Sequence, residues 1–160
     1  MQNFDQLFND IKDAPATVPV VPAGDYLAVV QGTTLEDVEL KSGEMRKVLR
    51  IFLTLQGNQG IMLSDGSAPV DGTVLDYSIF LPDEADKAVP SKFGKGTMYD
   101  VSVRKLKKTF LATGVDPAQY PSLEEALDAM VGAQVIVRVQ NKTTEDGTPY
   151  EVVQSIRGSQ

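Results

Sequence analysis

Lys92-Phe93-Gly94-Lys95 sets one aromatic ring between two ammonium groups in a glycine-flanked stretch. That combination suits a ligand carrying both phosphates and flat bases, because cations track the backbone while rings accept stacked bases. Related pairs recur along the chain. Arg50 stands two residues from Phe52, Phe80 lies near the end of an alternating apolar run, and Arg138, Lys142 and Tyr150 fall in the last quarter. Arg50, Phe52, Phe80, Lys92, Phe93, Lys95, Arg138, Lys142 and Tyr150 are therefore the candidate contacts for a single-stranded nucleic acid. Each also has a plainer reading. Phe52 and Phe80 are core residues if both faces of their strands are covered, Phe93 can anchor its own loop, and Arg50 can pair with a carboxylate such as Asp76 across a sheet.

The chain holds neither His nor Cys. That removes Ser-His-Asp triads, Cys-His dyads, Cys/His zinc sites and disulfides together. Acid-base work would fall to carboxylates, Lys or Tyr. Asp65, Asp71 and Asp76 could collect a hard metal through oxygen ligands, and Ser with Lys could form a dyad, but no spacing supports either. The expectation is a protein that is not an enzyme and uses no cofactor and no metal.

The charge is uneven. Fifteen basic and 22 acidic residues give -7 overall, which taken whole argues against a nucleic-acid binder. Residues 87 to 108, however, hold Lys87, Lys92, Lys95, Arg104, Lys105, Lys107 and Lys108 against Asp100 alone, or 7 - 1 = +6, leaving -13 for the rest. This predicts one positive surface on an otherwise repelling body; the alternative is a solvated helix face beside a basic loop. At 160 residues and 42% apolar content the chain suits one domain, with or without arms. No apolar run is long enough for a membrane span. The opening MQNFDQLFND lacks a basic patch followed by an apolar stretch, so no signal peptide is expected and a cytoplasmic setting is.

The elements that would position these residues can be read from period and punctuation. Residues 1–22 read as an arm and linker, and 23–158 as one domain. Phe4, Leu7, Phe8 and Ile11 have helical spacing, followed by the proline-rich run from Ala14 to Pro22. The simpler expectation is a short helix tucked onto the domain; the other is a partner-docking peptide on an extended linker. A strand is predicted over Asp25 to Gln31, then a polar hairpin turning at Lys41-Ser42-Gly43-Glu44. A second strand runs from Lys47 to Gln56 and a third from Thr73 to Leu81, separated by a glycine-rich loop. A helix is predicted from about Thr97, with Tyr99, Val103, Leu106 and Phe110 as one apolar stripe. Ser122 and Glu125 signal the cap of a second helix bearing Leu123, Ala126, Leu127 and Met130. A closing hairpin spans Ala133 to Lys142 and Tyr150 to Ile156, turning at Glu145-Asp146-Gly147.

Three strands, a helix pair and two more strands is the order of a mainly β protein of OB-fold type. The expected fold is a five-stranded Greek-key barrel with the helix pair inserted between strands 3 and 4. A β-sandwich with an inserted helix is the alternative. OB-folds bind oligonucleotides and oligosaccharides on the face of strands 2 and 3, where Arg50, Phe52 and Phe80 fall.

The chain also resembles a known family. The residues concerned are Pro22-Ala23-Gly24-Asp25-Tyr26, Lys41-Ser42-Gly43 and Leu49-Arg50-Ile51-Phe52-Leu53. Further along they are Leu111-Ala112-Thr113-Gly114-Val115, Leu127, Val131 to Val139, Asp146-Gly147 and Val152-Val153. Over about residues 22 to 158 this pattern is similar to a bacteriophage-encoded family found beside recombination and replication genes. Its members are regarded as single-stranded-DNA-binding proteins with an OB-like fold. The resemblance rests on hydrophobic pattern and glycine placement, not on a catalytic signature. It implies single-stranded DNA as partner, phage replication or recombination proteins as further partners, and the cytoplasm of an infected host cell as the setting. Strand edges offer a route to homo-oligomers. Many such proteins end in an acidic recruiting tail; this sequence closes Ser155-Ile156-Arg157-Gly158-Ser159-Gln160, so recruitment would use the arm around Phe4 and Phe8 or another surface. The competing class is a phage virion structural or assembly protein, with the arm crossing to a neighbouring subunit.

Overall fold

Leu49, Ile51, Leu53 and Leu55 alternate with Val48, Arg50, Phe52 and Thr54, and a two-residue period lays the first set on one side of a strand. A computed structural model describing residues 3–14, 18–92 and 95–159 places them in β2 (Met45–Leu55), with all four buried. β1 (Gly24–Glu39) and β3 (Val74–Phe80) flank β2, both antiparallel. β4 (Gln134–Thr143) pairs with the first part of β1, and β5 (Pro149–Gly158) with β4. The result is one five-stranded antiparallel sheet in the order β3-β2-β1-β4-β5.

β1 is the strand that both halves share. Residues 24–29 face β4, while residues 28–39 face β2, and the register slips between Val30 and Gly32. Such a bulge bends the strand and raises its twist, which lets one 16-residue strand serve two partners. Its polar second half reads as a hairpin in the sequence but is strand to Glu39. The turn is where the glycine predicts it: Gly43, at φ +85°, donates to the Leu40 carbonyl.

Between β3 and β4 lie α2 (Met98–Ala112) and α3 (Leu123–Met130), in the expected place. The inner face of the sheet contributes Tyr26, Ala28, Val30, Leu75, Val135, Val137 and Val139 to the same buried cluster as the β2 leucines; Phe110, Leu127 and Met130 complete it from the helices. Val20 and Val21, from the stretch read as arm, are buried too, and the Tyr26 hydroxyl donates to the Pro22 carbonyl at 2.6 Å. The arm is thereby tied to the sheet.

Three expectations need correction. The sheet is open rather than a closed barrel. β3 and β5 approach one another, yet no hydrogen-bonded ladder joins them among the described residues. β3 stops short of Pro82, which has no amide hydrogen to extend a ladder. α2 touches both edges instead: Lys105 Nζ sits 5.7 Å over the Tyr77 ring of β3, and α2 packs on β5. The stripe on α2 is the second correction. Phe110 is buried and Leu106 packs beside it, but Val103 is exposed and Tyr99 half-buried. The third is α1 (Phe4–Asp13), which buries none of its residues and is not tucked onto the domain. Among the described residues no helix is long and apolar enough to cross a membrane.

Candidate functional site

The period that buries the β2 leucines turns Arg50, Phe52 and Thr54 to the outer side of the sheet. Cross-strand pairing adds Gly32 and Thr34 of β1 and Val74, Asp76, Ser78 and Phe80 of β3 to that side. Neither Phe52 nor Phe80 belongs to the core cluster. Phe80 is 50% exposed, and Phe52 is half-buried beside a shallow hollow that it shares with Gln31, Gly32 and Val74. Gly32 pairs directly with Phe52 and has no side chain to fill the hollow. The open question between core and surface is thus decided for surface.

Arg50 is held by two carboxylates. Its Nε lies 3.4 Å from Glu36 Oε2, and its Nη1 lies 3.6 Å from Asp76 Oδ2. The pairing with Asp76 is the one anticipated. The Nε is buried and makes no hydrogen bond, so Arg50 reaches a ligand only by sharing its guanidinium with these acids. Charge on this part of the outer face is close to balanced, and what it offers is aromatic and aliphatic surface.

Free positive charge lies next door. Ser91 N–H donates to the Gly96 carbonyl at 3.1 Å and Met98 N–H to the Val89 carbonyl at 2.8 Å, closing a tight loop that carries exposed Lys92 and Lys95. Phe93 lies outside the described residues. Gly96 leaves the loop at φ +88°, a conformation other residues resist. Thr97 then caps α2 through a reciprocal pair with Asp100. No salt bridge engages Lys92, Lys95, Arg104, Lys105, Lys107 or Lys108 among the described contacts, whereas Lys87 pairs with Glu84 at 3.1 Å. The predicted positive segment is therefore a surface.

Arg46 and Tyr99 link the aromatic face to this loop; sequence reading passed over Arg46 and assigned Tyr99 to the apolar stripe of its helix rather than to the site. The Arg46 guanidinium sits 5.9 Å over the Phe80 ring, while its Nη2 donates at 3.0 Å to both Asp86 and the Leu81 carbonyl. One hollow runs from Arg46 past Pro82 to Tyr99, and a second continues from Tyr99 to Lys95. Phe80 and Lys95 thus belong to one stretch of surface. Arg46 carried a usable signal, since it shares the outer-face parity of Arg50 on β2. Tyr99 carried none, because a helical stripe says nothing about what faces it.

Arg138, Lys142 and Tyr150 lie across β1 from that group, on β4 and β5. Lys142 pairs across the ladder with Tyr150, and both are exposed. Arg138 Nε donates to Asp25 Oδ1 at 3.1 Å, and Arg157, which sequence reading also missed, reaches Asp25 Oδ2 at 3.1 Å. Hydrogen bonds from Arg138 first and Arg157 second hold the Asp25 carboxyl below its ordinary value of 3.8. A group depressed in the folded state contributes stability above the ordinary carboxylate range and loses it as pH falls through the folded value. Asp25→Asn is therefore expected to flatten the acid side of a plot of melting temperature against pH, below about pH 5, and to leave its shape near neutrality unchanged. Parallel acid limbs in variant and wild type would contradict the assignment.

Among the described residues no group of three or more acidic side chains converges as a metal site would. Asp71, one of the carboxylates considered for chemistry, accepts hydrogen bonds from the Asn58 amide N–H and side chain instead. Neither a scan against protein-family models nor a search of curated proteins finds a match to this chain.

Proposed function

We propose that this protein binds single-stranded DNA without sequence preference and protects transient single strands during phage replication or recombination. The phage setting rests on the family resemblance. The sheet would act as an OB-like platform, with β3 and β5 brought together by α2 instead of by a ladder. The observation that carries the reading is the placement of Phe52 and Phe80 on the outer side of the sheet, outside the core, next to lysines that make no salt bridge among the described residues, with Tyr150 exposed beside Lys142 across β1. Exposed rings with cations nearby are the combination that stacks bases and holds phosphates together.

In this reading Lys92, Lys95, Lys142 and Arg138 contact phosphates. Phe52, Phe80, Phe93 and Tyr150 stack bases, each contact worth about 1–3 kcal/mol. Arg50, held by Glu36 and Asp76, shares its charge with the DNA. None of these contacts reads base edges, so affinity follows length and salt rather than sequence. No step makes or breaks a covalent bond, and the reading needs neither metal nor cofactor.

Fluorescence anisotropy with labelled poly-dT, duplex competitor and two salt concentrations tests this. Tight binding that weakens steeply with salt and resists duplex competitor is the expected result. Absence of binding at low salt would overturn the proposal. The second reading, a virion structural or assembly protein, is favoured by the uncovered apolar side of α1; such a protein forms defined assemblies without DNA and ignores oligonucleotides.

A further inference from the structure

Phe4, Leu7, Phe8 and Ile11 follow the i, i+3, i+4, i+7 pattern of one helix face, and they are 71%, 38%, 60% and 60% exposed. A ten-residue helix is marginal in water without a surface to pack on. α1 is also acidic: Asp5, Asp10 and Asp13 outnumber Lys12. The same chain carries a matching surface. Two hollows run along the outer side of α2 and meet at Val103; one reaches Tyr99, and the other reaches Phe110 and Pro117. From Tyr99 to Phe110 is about 16 Å of helix, room for the roughly 10 Å between Phe4 and Ile11. The rim holds Lys95, Arg104 and Lys107. Its two acids are already engaged, Asp100 with Thr97 and Asp116 with the Ala118 amide. An acidic helix with an apolar face thus meets an apolar groove with a basic rim.

We propose that α1 of one copy docks in the α2 groove of a second copy, giving a reciprocal arm-exchanged dimer. The arm is anchored where the Val21 carbonyl accepts from Asn141, far along β4. The other end of α2, at Ala112, lies against Gly158, which pairs with Val135 at the start of β4. Those points are about 20 Å apart along the strand. The seven residue-to-residue steps from Asp13 to Val20 span at most about 25 Å fully extended, which leaves little length to fold back across α2. The groove of a neighbour sets no such limit. The pairing uses only α1 and α2, so it stands or falls separately from DNA binding, and the test is run without nucleic acid.

The chain has no cysteine, so engineered thiols report cleanly. Leu7→Cys and Val103→Cys, made in separate copies and mixed under mild oxidation, are expected to give a disulfide-linked heterodimer. The unmodified protein is expected to show twice the monomer mass by light scattering, and Phe8→Asp to show the monomer mass with a single cooperative melt and a circular dichroism change no larger than the loss of the ten-residue α1. Phe8 is 60% exposed and lies outside the core cluster, so a retained cooperative melt separates lost docking from lost folding. Three results would overturn the proposal: a monomer at every accessible concentration, a dimer indifferent to Phe8→Asp, or a disulfide that forms only within a doubly substituted chain at a rate independent of concentration. The last would place the arm on its own α2.

Discussion

Changing Lys92, Lys95, Arg138 and Lys142 together to Gln is expected to weaken single-strand binding about 600-fold at 0.1 M salt. Each phosphate contact on a single strand lowers the slope of log affinity against log salt by about 0.7, so four contacts account for about 2.8. Between 1 M, where this contribution vanishes, and 0.1 M lies one decade of salt, hence about 2.8 decades of affinity. The slope itself should become less negative by the same roughly 2.8, which separates lost phosphate contacts from a general loss of binding. All four side chains are exposed, and the one ion pair removed, Arg138 with Asp25, is a solvent-screened surface pair whose loss costs little stability. The variant therefore folds. None of the four lies on α2 itself, although Lys95 stands at the rim of the α2 groove. Anisotropy titrations across salt measure both quantities. An affinity within about threefold of wild type, with the slope retained, would mean that other cations hold the DNA, Arg104, Lys105, Lys107 and Lys108 being next in line.

The second large effect concerns folding. Asn58 is 8% exposed and continues the sheet where β2 has ended. Its Oδ1 accepts from Leu27 N–H at 2.9 Å, and its Nδ2 donates to the Leu27 carbonyl at 2.8 Å and to Asp71 Oδ1 at 2.9 Å. The side-chain amide acts as a substitute strand residue for β1. Asn58→Ala leaves the Leu27 N–H without that acceptor, and an orphaned buried donor costs about 1–3 kcal/mol. With about 2–4 °C per kcal/mol for a domain of this size, melting should fall by about 6 °C. Asn58→Asp should cost more at neutral pH. It replaces the donor facing Asp71 with a second carboxylate and sets a negative oxygen against the Leu27 carbonyl. That carboxyl would be pushed above the ordinary range, so its penalty should shrink as pH falls and the group protonates. Thermal melts of both variants at pH 7 and pH 4.5 check the order and the sign. Equal melting of Asn58→Asp and wild type at pH 7 would show that the site is open to water.

Both predictions rest on features that differ in how they are written in the chain. The alternation in β2 sorts its side chains into two faces and marks the leucine face for the core before any partner is known, because a pleat has two faces. The Thr97 cap and the turn at Gly43 are local for the same reason: their hydrogen bonds close within three residues. The excess of lysine between residues 87 and 108 is a count, and it marked a real surface. Asn58 is the opposite case. A lone Asn in a glycine-rich loop carries no mark of a role until Leu27, 31 residues earlier, is brought beside it. Arg157 is similar, since its only meaning comes from sharing Asp25 with Arg138 across 132 residues.

The misread elements share one cause. The second half of β1 is polar because its side chains meet water, and only the ladder to β2 makes it strand. The stripe on α2 and the face of α1 are genuine helical patterns, but a pattern states that a face is apolar and not what covers it. The amino-acid sequence by itself determined the β-rich order of elements, the helix pair between the third and fourth strands, the sidedness of β2 and β3 and the basic segment. All of these follow from interactions between near neighbours. Only the tertiary structure decided that the sheet stays open, that Phe52 and Phe80 face outward, that Arg50 is shared between Glu36 and Asp76, and that α1 is left uncovered. Each of those depends on which distant surfaces meet, and chain order does not carry that information.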